Sequence, residues 1–181
     1  ETGGEIICNG VHGTVDFEEA LADSCNSAFS QIAIELGTEK LTETVKELGL
    51  TSSLSVSGIP SKAGKFDISK AKTDDLGWAG IGQYTTMLTP ASMLRLVGAI
   101  ANGGKAVSMS YIDSFSDQSG KAFDIGLTKS ENQIIDESIA NKLKSMMRNN
   151  VESTYGDWRF SGIDNVCAKS GTAQIDDVSE H

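Results

Sequence analysis

The stretch Val166-Cys167-Ala168-Lys169-Ser170-Gly171-Thr172-Ala173-Gln174 restricts the fold more than any other part of the chain. Its apolar start suits a buried strand, and the cation, hydroxyls and glycine that follow suit the point where a strand faces a cleft. Lys169 brings positive charge, Ser170 and Thr172 bring short hydrogen bonds, and Gly171 lets another backbone lie close. That is an anion-binding edge. A single strand is not stable by itself, so the segment demands neighbours, and the rest of the chain has to say what they are. Taken alone, Lys-Ser-Gly reads as an exposed strand end with a turn.

Charge narrows the choice of ligand. The net charge of −10 excludes nucleic acid as a partner and sets Lys169 in a mostly acidic molecule. With 181 residues, 39% hydrophobic and 22% charged, the chain is long enough for one domain with a core, and disorder is not expected. The three cysteines, Cys8, Cys25 and Cys167, are too few for a disulfide framework, and their spacings match no zinc pattern. Cys8 and Cys25 could pair, which leaves at least one thiol free. No apolar run is long enough to cross a membrane, and the acidic N-terminus is unlike a signal peptide. Any targeting or anchoring segment is expected outside these residues.

Along the chain, Asp16 and Glu19 form a capping box that opens a helix with Phe17, Ala20 and Leu21 on one face. Polar residues Asp23, Ser24, Asn26 and Ser27 interrupt that face before Phe29, Ile32, Ala33 and Leu36 resume it, which predicts a break between two helices. Thr38 reads as the cap of a third helix ending at Leu48, stopped by Gly49. Residues 50–80 lack a period and read as a long surface excursion. Thr89-Pro90 starts a helix that is apolar nearly all round and therefore expected to be buried, ending at Asn102-Gly103-Gly104. Residues 105–130 read as short strands and turns. A further amphipathic helix runs from Asp136 to about Val151 with Ile139, Leu143, Met146 and Met147 inward, and residues 152–162 form a loop holding Tyr155, Trp158 and Phe160.

A second constellation sits in the first helix break. The Ser24 hydroxyl and the Asn26 carboxamide, two residues apart at a junction of helices, can present a proton carrier and an amide clamp to one cleft. The same pattern recurs at Ser130-Glu131-Asn132, which we set aside because it lies in a charged, aperiodic segment.

Ser24-Cys25-Asn26 followed by Lys169-Ser170-Gly171-Thr172 resembles the S-x-N and K-[ST]-G motifs of penicillin-binding proteins and serine β-lactamases. The intervening text is more specific. His12-Gly13, Ala20-Leu21-Ala22-Asp23, Gly80-Ile81-Gly82-Gln83, Leu88-Thr89-Pro90 and Ala99-Ile100-Ala101-Asn102-Gly103-Gly104 look like the transpeptidase domain of penicillin-binding proteins, in that family's order. The resemblance covers residues 8–178 and implies that residues 1–181 form one partial transpeptidase domain. The implied fold is α/β, a helical subdomain against an antiparallel sheet, with this chain mainly α with few strands.

The resemblance further implies acyl transfer on peptidoglycan stem peptides, with β-lactams as mimics that leave a slow ester. Catalytic roles fall to Ser24, relaying a proton to the departing nitrogen, and to Lys169, binding Ser24 and raising the local potential. Substrate-binding roles fall to Asn26 for the donor peptide's amide, Ser170 and Thr172 for its terminal carboxylate, Gly171 for backbone approach, and the Thr172 amide for half of an oxyanion hole. No cofactor or metal is implied. The implied location is the outer face of the bacterial cytoplasmic membrane, the parent being membrane-anchored beside other cell-wall proteins.

One departure stands out. The family's S-x-x-K motif, which carries the nucleophile and precedes S-x-N, is absent, since no serine precedes Ser24. The formal match Ser69-Lys70-Ala71-Lys72 comes after S-x-N in a polar loop, so the nucleophile is expected elsewhere. The family's strands after K-[ST]-G are missing as well, leaving the motif strand with nothing to pair with. The chain then reads as an inert piece of a transpeptidase. The alternatives are a β-lactam sensor or β-lactamase, or a non-catalytic binding scaffold of the same fold. His12 reads as a loop contact, Tyr155 and Trp158 as packing residues that could touch substrate, and Cys25 as a small buried hydrophobe.

Overall fold

Local signals decide most of the helix starts. In a computed structural model that describes residues 5–8, 10–112, 114–123, 130–175 and 178–180, the Asp16 carboxylate accepts from the Glu19 amide at 2.9 Å and Glu19 returns the bond to the Asp16 amide at 2.9 Å. This capping box opens α1 (Phe17–Ala22). α2 (Asn26–Glu47) follows after a turn, and within it Gly37 at φ 76° and ψ 169° breaks the helical path just before Thr38. Glycine reaches that conformation without a side-chain penalty. Phe17 and Phe29 meet edge to face at 5.6 Å between ring centroids and hold α1 against α2.

The chain divides into two compact units. The first comprises residues 1–44, 65–87 and 142–181. Residues 50–80 were expected as a surface excursion, and here the structure differs. They contain the hairpin β1 (Ser55–Val56) and β2 (Ile59–Pro60), and then α3 (Thr73–Gly80), whose Leu76 and Ala79 join Ile68 in a buried cluster with Leu41, Phe66, Ala71 and Tyr84 packed on it. The period is hidden because α3 meets α2 through small residues rather than large ones. A Cβ added at Gly80 would lie 2.2 Å from the Ala33 Cβ, and one added at Gly77 would lie 3.4 Å from the Ser30 Cβ and 3.5 Å from Ile34 Cδ1, both on α2. Two helices approach this closely only where side chains are absent.

The second unit comprises residues 45–64 and 88–141. Thr89 caps α4 (Pro90–Ala101) by accepting from the Ser92 amide at 3.1 Å, with proline in the first turn. β3 (Lys105–Val107) pairs antiparallel with β6 (Ser130–Gln133), and β4 (Phe115–Ser116) with β5 (Ala122–Phe123). The discounted Ser130-Glu131-Asn132 therefore lies on strand β6, while residues 124–129 of the segment read as strands and turns lie outside the described residues. The expectation of a buried α4 is overturned, because Met93, Leu94 and Val97 are all exposed and only Ser92 and Ala99 are buried. The helix meets β3 at Gly98, where an added Cβ would sit 3.7 Å from Val107, and a two-stranded sheet covers only one stripe of a helix.

α5 (Glu137–Asn150) runs as expected, with Ala140 and Met146 buried, but Ile139 is exposed rather than inward. It ends in a π-helical turn (Val151–Tyr155) and a short 3-10 turn (Asp157–Phe160). The chain then passes through residues 161–172 into β7 (Ala173–Ile175), which pairs antiparallel with β8 (Val178–Glu180). The motif segment is thus not left without a strand partner nearby: the ladder begins just past Thr172, which corrects the expectation of a lone strand. The molecule is mainly helical with small antiparallel sheets.

Candidate active site

The site is built within the first unit from its two ends. The backbone turns between α1 and α2 with the Ser24 amide donating to Leu21 O at 3.3 Å and the Cys25 amide to Ala20 O at 2.9 Å. Ser24 sits at φ 53°, the left-handed region that non-glycine residues enter at a cost. Asn26 opens α2, and its Nδ2 donates to the Ile7 carbonyl at 3.0 Å, so the carboxamide is fixed by the segment that precedes α1.

The opposite wall is residues 166–172, held by the C-terminal end of α5. The Ala168 amide donates to Met147 O at 3.0 Å, the fully buried Asn150 donates from Nδ2 to Ala168 O at 3.0 Å, and Arg148 donates to Val166 O at 3.0 Å. Arg148 also forms a two-pronged ion pair with Asp157, which holds that carboxyl below the usual carboxylate range. The segment is thereby fixed by a helix end rather than by a ladder.

Across the gap, Lys169 Nζ donates to Ser24 Oγ in a very short contact, to Ser170 O at 3.0 Å and to Ser170 Oγ at 3.3 Å. Ser24 Oγ and Ser170 Oγ lie 3.4 Å apart. Tyr155 closes the network: its hydroxyl accepts from the Ser170 amide at 2.9 Å and donates to Ser170 Oγ at 3.1 Å. Burial pushes the Tyr155 phenol up, but the Ser170 hydrogen bonds and the Lys169 charge outweigh it and hold the phenol below its ordinary value. Ser24, Asn26, Lys169, Ser170, Gly171 and Thr172 all line one cleft of about 550 Å³, together with Trp78, Gly80, Ile81 and Gln83. The six residues singled out from the sequence are therefore brought together.

Such an arrangement supplies a fixed ammonium group, hydroxyls that accept and donate in series, and a glycine at which no side chain blocks the cleft. It can hold an anion and pass a proton between Ser24 and a group beside it. Ser69 is placed differently. It is exposed in a turn before α3, its hydroxyl donates to Asp67 at 2.7 Å, and Lys72 lies just ahead of that helix, so Ser69 and Lys72 do not share a helical face. Sequence reasoning missed Asn150 and Arg148 as parts of the site, and read Tyr155 as a packing residue that could touch substrate rather than as a hydrogen-bond partner of Ser170. Each acts by hydrogen bonding to residues 166–170, and none belongs to a spaced motif. It also missed that Cys8, His12 and Cys25 come together, with donor atoms within 4.8 Å of one another.

Comparison with known proteins agrees with this picture. The profile of the family described as "Penicillin binding protein transpeptidase domain" matches residues 8–181. The chain is 26% identical over 167 residues to the "Peptidoglycan D,D-transpeptidase PbpA" of Mycolicibacterium smegmatis, covering 89% of this chain and 32% of that protein. It shares its fold with the crystal structure of PBPA from Mycobacterium tuberculosis at a TM-score of 0.78 and 24% identity, over 92% of this chain and 39% of that one. The ceftriaxone acyl-enzyme complex of the same M. tuberculosis protein aligns at a TM-score of 0.76 and 24% identity, over 89% of this chain and 36% of that one. This chain spans about a third of the length of the M. smegmatis protein.

Proposed function

The chain belongs to the penicillin-binding protein transpeptidase family, and from that premise we propose that it is the motif-two and motif-three part of a peptidoglycan D,D-transpeptidase. Its cleft takes the D-Ala-D-Ala end of a stem peptide or a β-lactam that imitates it. Lys169, Ser170 and Thr172 bind the terminal carboxylate, and Gly171 lets the donor peptide lie along the segment. Asn26, whose carboxamide is held by the Nδ2 bond to Ile7 O, meets the peptide's amide N–H through Oδ1.

In the reaction a serine from an S-x-x-K segment, outside these residues, attacks the amide carbonyl while the Thr172 amide receives the developing oxyanion. The serine's hydroxyl proton passes by way of Ser24 to the nitrogen as the carbon–nitrogen bond breaks and D-alanine leaves, and an amine of a neighbouring stem then displaces the serine, whose oxygen takes up the proton the amine loses. Lys169 keeps the Ser24 hydroxyl oriented for that transfer. The protein would work on the outer face of the cytoplasmic membrane. Among the described residues no helix is long and apolar enough to cross a membrane.

One observation carries the reading: Ser24, Lys169 and Ser170 converge in a cleft although 145 residues separate Ser24 from Lys169. The test is the intact mass of the 181-residue chain before and after incubation with a penicillin, beside the same chain extended to include an S-x-x-K segment. A single adduct on the extended protein only, mapped to the serine of that segment, is the expected outcome. An adduct on Ser69 or Ser24 of the 181-residue chain would overturn the assignment.

A further inference from the structure

We propose that Tyr155 sets the direction of the hydroxyl chain in the cleft, making Ser170 a hydrogen-bond donor and so sharpening the preference for a ligand that ends in a carboxylate. Tyr155 is a positioning residue here, because it acts through Ser170 and is not one of the described residues that line the cleft. The proposal rests on the assignment of Ser170 to the terminal carboxylate made above.

Counting hydrogens leads there. The Tyr155 oxygen receives the Ser170 amide at 2.9 Å, and its one hydrogen goes to Ser170 Oγ at 3.1 Å. The Lys169 ammonium, which can only donate, reaches the same Ser170 Oγ at 3.3 Å. Both lone pairs of that hydroxyl are then taken, and its single hydrogen is left for an acceptor in the cleft. Ser24 Oγ lies within reach at 3.4 Å, and it also accepts from Lys169. The chain therefore runs one way, from Tyr155 through Ser170 to Ser24, and it leaves the Ser24 hydrogen for a group beside it. An arriving carboxylate, which offers only acceptors, takes the Ser170 hydrogen in place of Ser24.

Tyr155 reaches Ser170 because of the way α5 ends. The Gly156 amide, at φ 86°, donates to Val151 O at 2.7 Å, an i→i+5 bond that widens the last turn. Asn150 and Tyr155 are five residues apart and would face different ways on an α-helix. Here both meet the motif segment, Asn150 at Ala168 O and Tyr155 at the Ser170 amide. With Arg148 on Val166 O, every second residue from Val166 to Ser170 is held from this one helix end. A carbonyl in the place of Tyr155 could accept the Ser170 amide equally well. It would have no hydrogen to give Ser170 Oγ, and that second bond is what the phenol adds.

The test uses the protein extended to include an S-x-x-K segment, acylated over a range of concentrations by a penicillin or by the methyl ester of the same penicillin and followed by intact mass. Tyr155→Phe, which keeps the ring, should raise the concentration of the acid needed for half the limiting rate by about three- to tenfold, the scale of one hydrogen bond. The limiting rate itself should stay as it was. The ester, with no charge to strengthen that bond, should change by less than about twofold. Ser170→Ala should cost the acid at least as much, and adding Tyr155→Phe to it should do nothing more. Each variant should keep its far-ultraviolet circular dichroism. The proposal fails if Tyr155→Phe slows acid and ester alike, if it lowers only the limiting rate, or if it acts as strongly in the Ser170→Ala background as alone. Should Ser170→Ala erode the preference for the acid while Tyr155→Phe leaves it intact, the role of Tyr155 falls and the carboxylate assignment stands. Should Ser170→Ala leave that preference intact, the assignment falls and this proposal with it.

Discussion

Lys169 Nζ donates a hydrogen bond to Ser24 Oγ, joining the K-[ST]-G and S-x-N motifs directly. In the extended protein carrying an S-x-x-K serine, Lys169→Met should slow acylation by a fluorescent penicillin by about 10²- to 10³-fold, the scale of losing one charge-stabilising donor. An unchanged acylation rate would remove Lys169 from the chemistry.

Tyr155 should ionise below its ordinary value of 10.0, since the Ser170 bonds and the Lys169 charge outweigh its burial. Ultraviolet difference titration of the chain against Tyr155→Phe isolates this group. Both Ser170→Ala and Lys169→Met should move its midpoint upward. A midpoint that ignores both substitutions would mean the phenol is not held by that network.

The Arg148–Asp157 pair makes the motif segment acid-sensitive. The folded-state carboxyl of Asp157 titrates below its ordinary value of 3.8, so its contribution is complete at neutral pH, begins to fall as pH drops past 3.8, and is gone once pH passes the folded value. Hydrogen exchange at the Ala168 amide should therefore accelerate in that acid window, more so at high salt, and Asp157→Asn should show fast exchange already at neutral pH. Exchange that is equally slow in Asp157→Asn would detach the pair from the segment.

Gly80→Ala forces a Cβ to within 2.2 Å of the Ala33 Cβ. Separating α3 from α2 to make room should cost about 1–3 kcal/mol, read as a lower midpoint in urea at constant slope. Ala33→Gly in the same chain should recover part of the loss. No shift in the single variant would mean that the two helices are not in close contact in solution.

How much of this was legible in the sequence depended on whether a signal was local. The Asp16–Glu19 box, the Thr89-Pro90 start and the break at Ser24-Cys25-Asn26 are set by residues a few positions apart, and each appears where its residues predicted. α3 was hidden because its contacts run through Gly77 and Gly80, which carry no hydrophobic signal, while its apolar residues are few. The reverse error befell α4, where an all-round apolar pattern announced burial that a two-stranded sheet does not provide. At the site, the motif residues were legible through their chemistry. Asn150 and Arg148 were not, nor was the hydrogen bonding of Tyr155 to Ser170, because a side chain that steadies a distant backbone leaves no periodic trace.

The turn at Ser24 and the segment at Lys169 also bear on how the chain folds. Their contact closes a loop of 145 residues, and closing such a loop costs about 4 kcal/mol of chain entropy before any contact repays it. Local helices form without that expense, so the cleft would be among the last features to assemble and the first to open. A ligand that bridges both walls would then behave as a reversible cross-link on the whole first unit, and its binding would report the folded population of the chain as well as the chemistry of the cleft.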